Sequence, residues 1–249
     1  MSKKSITLCH IYPEILNLCG DAGNVAAIKD RCEKRGIEFI EKKLSANMSV
    51  DFSDIDIVIF GGGTDRAALL VSEYRDTLGS ALKEYVENDG VLLALCSGYQ
   101  LLGNYYEYEG KKIDGFGVLD VDTKASDKRF IGNAAIEACL GNEKVVLAGF
   151  ENHAGYTDIK GHSAFGKVLF GYGNDGNGED EGVIYKNTVA TYVNGPVLPK
   201  NPELTDFLIQ AALKRKYPCE AEEELEELDD TMEKRAREYI INREKTLRK

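Results

Sequence analysis

A cysteine serves as a nucleophile when its sulfur is held at an open edge and its thiolate is favoured. The stretch Val91–Gly103, V-L-L-A-L-C-S-G-Y-Q-L-L-G, meets both conditions on paper. Val91–Leu95 is free of charge and has the length of a central buried strand. Gly98 lies two residues after Cys96, where a sharp strand-to-helix turn calls for a residue without Cβ. Tyr99, Leu101 and Leu102 then open a helix. Cys96 therefore sits at the carboxyl edge of a strand and the N-terminus of a helix, whose dipole favours negative charge. This is nucleophile-elbow logic with Cys in place of Ser. A buried cysteine acting as a small hydrophobe satisfies the same local pattern.

Two further groups of residues would complete such a site. Gly61, Gly62 and Gly63 follow another apolar strand and can turn backbone N–H groups towards an anion. With the N–H of Ser97 they make a candidate oxyanion hole. The glycines lack the spacing of a dinucleotide fingerprint, and no Walker lysine follows. Gln100, one helical turn beyond Cys96, faces the same pocket and can bond a substrate amide or carboxylate. A thiolate also needs a base, usually histidine. The chain has three histidines. His10 follows the first strand, and His162 reads as a surface turn. His153, in a loop with Glu151 and Asn152, is the possible base.

The elements that must position these residues alternate as strand, helix, strand, strand, helix, strand, helix. Strands are expected at Ser5–Ile11, Ile37–Leu44, Asp54–Phe60 and Val91–Leu95. Helices are expected from an Asn24 cap to Arg35, and over Ala67–Asn88 with a break near Gly79. That rhythm predicts an α/β fold with an open, mostly parallel sheet flanked by helices, carrying ligands at its carboxyl edge. From Ile113 to Tyr192 short apolar segments alternate with glycine, reading as strands and loops beside the core. Gly171–Gly182 reads as a mobile polar loop without the spacing of a calcium loop. Thr205–Tyr217 is a helix. Residues 1–217 form the expected domain. Residues 218–249 form a C-terminal amphipathic helix, either packed on its own domain or docking a partner.

The net charge of −11 argues against broad contact with nucleic acid. No stretch has the length of a membrane span, and Ile6–Leu18 is too polar for a signal-peptide core. The six cysteines are scattered without a C-x-x-C pair, which leaves no zinc or dithiol motif and suits a reducing cytoplasm.

Several motifs together resemble a known family. L-C-S-G-Y-Q-L-L-G is similar to the elbow of class I glutamine amidotransferases, and F-G-G-G-T-D-R resembles the branch related to cobyric acid synthase. Four more segments look like the glutaminase subunit of lipid II isoglutaminyl synthase. They are Y-P-E-I-L-N-L-C-G-D-A-G-N at Tyr12–Asn24, K-R-F-I-G-N at Lys128–Asn133, G-F-E-N-H-A-G at Gly149–Gly155, and T-Y-V-N-G-P-V-L-P-K-N-P at Thr191–Pro202.

The resemblance implies a flavodoxin-like amidotransferase fold and hydrolysis of L-glutamine to glutamate and ammonia. It implies a heterodimer in which a Mur-ligase-like synthetase subunit uses the ammonia to amidate the D-glutamate of lipid II, in peptidoglycan biosynthesis. ATP and Mg²⁺ belong to that partner, and no cofactor or metal to this chain. By position, Cys96 matches the nucleophile, Gly62 and Gly63 the oxyanion loop, and Gln100 and Arg129 the groups that hold glutamine. An arginine fork suits an α-carboxylate. The family's catalytic histidine falls on Asn194, which cannot cycle a proton. An engineered change, a natural loss of activity, and replacement of the base by His153 all fit that difference. Cys19 and Thr64 also depart from the family pattern. A non-catalytic subunit of such a synthase, a cobyric acid synthase-like amidotransferase, and a different cysteine hydrolase on the same sheet are the alternatives.

Overall fold

The computed structural model describes residues 3–45, 48–220 and 223–247. Its first half contains β1 (Ser5–Ile11), α1 (Asp21–Lys34), β2 (Glu38–Leu44), β3 (Ile57–Phe60), α2 (Asp65–Ser72), α3 (Ser80–Glu87), β4 (Val91–Leu95) and α4 (Ser97–Leu102). The second half adds β5 (Tyr105–Tyr108), β6 (Lys111–Asp114), β7 (Asp122–Leu140), β8 (Glu143–Asp158), β9 (Gly166–Phe170), β10 (Asp180–Glu181), β11 (Val183–Tyr185), β12 (Thr188–Thr191), α5 (Pro202–Lys216) and α6 (Thr231–Leu247).

One sheet has the order β11-β12-β4-β3-β1-β2. Its strands run parallel except β11, which pairs antiparallel with β12 at the edge. This is the expected α/β architecture. β4 lies between β3 and β12, and none of its side chains is exposed. Its alternation feeds two cores. Leu92 and Ala94 join a cluster with Val71, Leu82 and Tyr99 of the helices on one face. Val91, Leu93 and Leu95 join Val25, Ile28, Leu204 and Leu208 of α1 and α5 on the other. Each such Leu or Val contributes roughly 1.5–3 kcal/mol of burial, which explains why this stretch tolerates no charge.

The second sheet has the order β10-β9-β7-β5-β6, with β8 paired to β7 in a long antiparallel hairpin. β7 and β8 carry residues 122–158 from the core, where Ile136 and Leu147 are buried, to the carboxyl edge of the first sheet.

Several boundaries differ from expectation. α1 begins at Asp21 behind Gly20, whose φ is 80°. Asn24 does not cap it, because the Asn24 side chain accepts the Leu198 N–H at 2.9 Å. β3 starts only at Ile57, since Ile55 N–H closes a turn onto the Phe52 carbonyl. The helix expected over Ala67–Asn88 starts two residues earlier, at Asp65, and its expected break near Gly79 is a π-turn at Arg75–Gly79 between α2 and α3. His10 lies within β1, not after it, and His153 lies within β8, not in a loop. Both are buried. The segment Gly171–Gly182 is anchored rather than wholly polar and loose. Asn174 and Glu181 are buried, and the Asn174 side chain pairs with both backbone groups of Gly182.

The C-terminal helix is shorter than expected. Pro218–Glu220 is a 3-10 turn, residues 223–230 are irregular, and α6 starts at Thr231. Positions 221, 222, 248 and 249 of the expected helix lie outside the described residues. Arg31 of α1 and Arg35, the residue that follows it, hold the irregular strap through Asp230 and the Glu226 carbonyl. α6 rests on the body through polar contacts, Arg237 to Glu203 and Glu244 to Asn133. Its predicted apolar stripe is largely outward, with Met232 and Tyr239 exposed.

Candidate active site

β4 ends in Cys96, whose backbone has φ 53° and ψ −113°. A non-glycine residue there is strained by about 1–3 kcal/mol, which the surrounding contacts must sustain. They do so on both sides. The Cys96 N–H donates to the Thr191 carbonyl at 3.0 Å, continuing the β4–β12 pairing, and its carbonyl accepts from Gln100 N–H at 3.1 Å to start α4. Gly98 meets its requirement through packing. A Cβ there would stand 2.3 Å from the Phe60 carbonyl oxygen. The positive φ falls on the cysteine itself.

The Cys96 side chain opens into a pocket of about 170 Å³. Gly63, Ser97, Gln100, Arg129 and His153 line it too, so the structure gathers most of the residues selected from sequence. Leu18, Thr64, Asp65, Asn152 and Ala154 complete the walls. Arg129 reaches across from β7, its Nε–H donating to Asn152 Oδ1 at 2.7 Å, and its guanidinium fork suits a ligand carboxylate. Gln100 donates through Nε2 to the Tyr192 hydroxyl at 3.2 Å, which fixes its orientation in the pocket. Thr64 caps α2 by accepting the Ala67 N–H.

The glycine loop is engaged by protein groups. Gly62 N–H donates to Asp21 Oδ2 at 3.2 Å, and Gly63 N–H donates to Ser97 Oγ at 2.8 Å. The Ser97 N–H, at the start of α4, favours the charged form of the Cys96 sulfur. Of the three expected oxyanion donors, two would have to exchange partners to meet a substrate. Asp21 has no exposed surface, and burial pushes its carboxyl up to about 7.

The thiol of Cys96 donates to the Asn152 carbonyl at 3.7 Å. The Cys19 thiol abuts Gly62 on the side opposite Cys96, close enough to bear on the charge of its sulfur. Neither Cys19 nor Asp21 was singled out as a site residue from sequence. Their proximity comes from the chain folding back between β1 and α1. The sequence signs are the motif Tyr12–Asn24, which contains both, and the departure of Cys19 from the family pattern.

Asn194 lies three residues beyond β12, at the same sheet edge as Cys96. Its backbone bridges to Phe150, and its side-chain amide donates to the Tyr192 carbonyl at 2.9 Å. His153 stacks on Tyr192 with ring centroids 3.7 Å apart. Its Nδ1 lies 3.1 Å from the Gly155 carbonyl, and because a carbonyl only accepts, Nδ1 carries the proton. Nε2 is therefore bare, and among the described residues it has no hydrogen-bond partner. Burial pulls the His153 imidazole down to about 4. It is neutral near pH 7 but is a weak proton acceptor.

A strained Cys elbow beneath a glycine loop, at the carboxyl edge of this sheet, places the chain among amidotransferase-type α/β proteins. Two solved structures share the fold. A crystal structure of a glutamine amidotransferase matches with TM-score 0.55 at 14% identity, over 82% of this chain and 98% of its own. The structure of PurLQS from Thermotoga maritima matches with TM-score 0.53 at 15% identity, over 84% of this chain and 98% of its own. The model of the CobB/CobQ-like glutamine amidotransferase domain matches residues 7–202, and the chain belongs to that family. It is similar to the lipid II isoglutaminyl synthase (glutamine-hydrolyzing) subunit GatD of Staphylococcus aureus, 36% identical over 96% of each chain. The GatD subunit of Streptococcus pneumoniae is 37% identical over 85% of this chain and 82% of its own.

Proposed function

We propose that the chain is the glutamine-hydrolysing subunit of a lipid II isoglutaminyl synthase. One observation carries the reading: a Cys96 elbow that shares its pocket with Gln100 and Arg129, in a chain alignable almost end to end with such subunits. Arg129 receives the α-carboxylate of glutamine and Gln100 its polar end. Cys96 thiolate attacks the carboxamide carbon. The N–H groups of Gly62, Gly63 and Ser97 take up the oxyanion after the glycines leave Asp21 and Ser97 Oγ. Collapse of the intermediate, with a proton drawn from water, expels ammonia and leaves a thioester, which a second water cleaves to glutamate, freeing the Cys96 sulfur. Turnover is slow in this chain, because Asn194 cannot pass the proton to the leaving ammonia. The ammonia serves a Mur-ligase-like partner that uses ATP and Mg²⁺ to amidate the D-glutamate of lipid II.

A second reading is favoured by Asn194 itself. With its amide tied to the Tyr192 carbonyl, the chain would act as a non-catalytic subunit of the same synthase. Amidation by the complex, supplied with glutamine or with free ammonia alone, decides between them. Use of glutamine that disappears in Cys96→Ala supports hydrolysis. Use of free ammonia only supports the non-catalytic subunit.

A further inference from the structure

Cys19 lies on the bend between β1 and α1, and two bonds hold the bend against the glycine loop. Leu18 N–H donates to the Gly62 carbonyl at 2.9 Å, and Gly62 N–H returns to Asp21. Gly62 is wedged between the two cysteines. A Cβ there would stand 2.6 Å from Cys19 Sγ and 2.9 Å from Cys96 Cβ. With no side chain at Gly62, nothing stands between Cys19 Sγ and the Cys96 side chain at that point.

The groups that face Cys96 come from every surrounding element. The segment before α1 supplies Cys19, and α1 supplies Asp21. The start of α2 brings Asp65, and α4 brings the Ser97 N–H. From β7 and β8 come Arg129, the Asn152 carbonyl and His153, and the residue after β12 is Tyr192, whose buried phenol is neutral. Asp21 and Asp65 oppose a second negative charge, and the Asn152 carbonyl opposes it as well. Ser97 N–H, Arg129 and a Cys19 S–H favour it. The imidazole of His153 is neutral and adds no positive charge.

We propose that Cys19 is a positioning residue for Cys96, donating its S–H to the Cys96 sulfur and holding that sulfur as thiolate where no histidine stands at position 194. The inference rests on the reading of Cys96 as the nucleophile. On ionisation, the Cys96 proton goes to solvent, and Cys19 keeps its own and shares it with the sulfur. The bond separates the two thiols. It draws Cys96 below the ordinary thiol range and raises Cys19 above it.

The rate of Cys96 alkylation by iodoacetamide against pH, with the modified residue located by mass spectrometry, tests the pairing without glutamine. In Cys19→Ala the midpoint moves up by about one pH unit or more, and the rate at neutral pH falls roughly tenfold. Cys19→Ser keeps a donor and recovers most of the native profile. If Cys19→Ala fails to fold, Cys19→Val fills the space without a donor and replaces it. A native profile in the donor-less variant overturns the proposal. So does a Cys19→Ser profile equal to that of Cys19→Ala, which would make the role one of packing. A profile that responds to Cys19 in a chain that never hydrolyses glutamine counts against the proposed function and leaves this pairing intact.

Discussion

Gly63 donates its backbone N–H to the Ser97 hydroxyl at 2.8 Å, so the residue after the nucleophile ties down the loop that would bind the oxyanion. The bond joins the end of β3 to the start of α4 and is partly buried. Ser97→Ala removes the acceptor and leaves Gly63 N–H unpaired. A loss of about 1 kcal/mol in folding stability is expected from urea denaturation. An unchanged midpoint would mean that the loop is held by other contacts.

Glu181 governs a pH effect. It has no exposed surface and accepts from the Thr191 hydroxyl at 2.8 Å and the Tyr192 N–H at 2.6 Å, bracing the strand end that leads to Asn194. Burial raises its carboxyl from an ordinary 4.5 to about 8. Between those values the folded chain keeps a proton that the unfolded chain releases. Stability from this group is therefore full below pH 4.5 and is lost as pH rises through about 8. The slope is at most about 1.4 kcal/mol per pH unit for one proton. Glu181→Gln cannot titrate, and its stability profile should be flatter than the native one across that window. Asp21 and His153 titrate in both chains and cancel in the difference. Parallel profiles would show Glu181 to be ionised throughout.

The elbow was legible because its constraints are local. A charge-free strand, Cys96, and Gly98 two residues on describe one turn, and the family motifs placed Gln100 and Arg129 in the same pocket. Contacts made by distant segments were not legible. Asn24 reads as a helix cap until Leu198 is brought to it from 174 positions away. Glu151 and Asn152 read as a loop with His153 because the long β7–β8 pairing leaves no alternation strong enough to mark a strand. Cys19 reads as an isolated thiol, since only the fold puts it across Gly62 from Cys96. The apolar spacing of α6 is real, but polar contacts to Glu203 and Asn133 seat the helix with Met232 and Tyr239 outward.

Asn194 is buried at the carboxyl edge of β12, beside the strand that carries Cys96. An imidazole there would supply the acid–base group that the amide lacks. Such a group is worth about 10²–10⁴ in rate. Asn194→His should raise glutamine hydrolysis by roughly 10² or more, read as ammonia release by the complex. A folded variant with no gain would place the missing base elsewhere.

The central claim is that Cys96 is a glutamine-directed nucleophile. Labelling with an electrophilic glutamine analogue, followed by peptide mass spectrometry, tests it most directly. The account predicts a single adduct on Cys96, suppressed by excess L-glutamine and lost in Cys96→Ala. A folded chain that takes no label, or takes it on another cysteine regardless of glutamine, would contradict it.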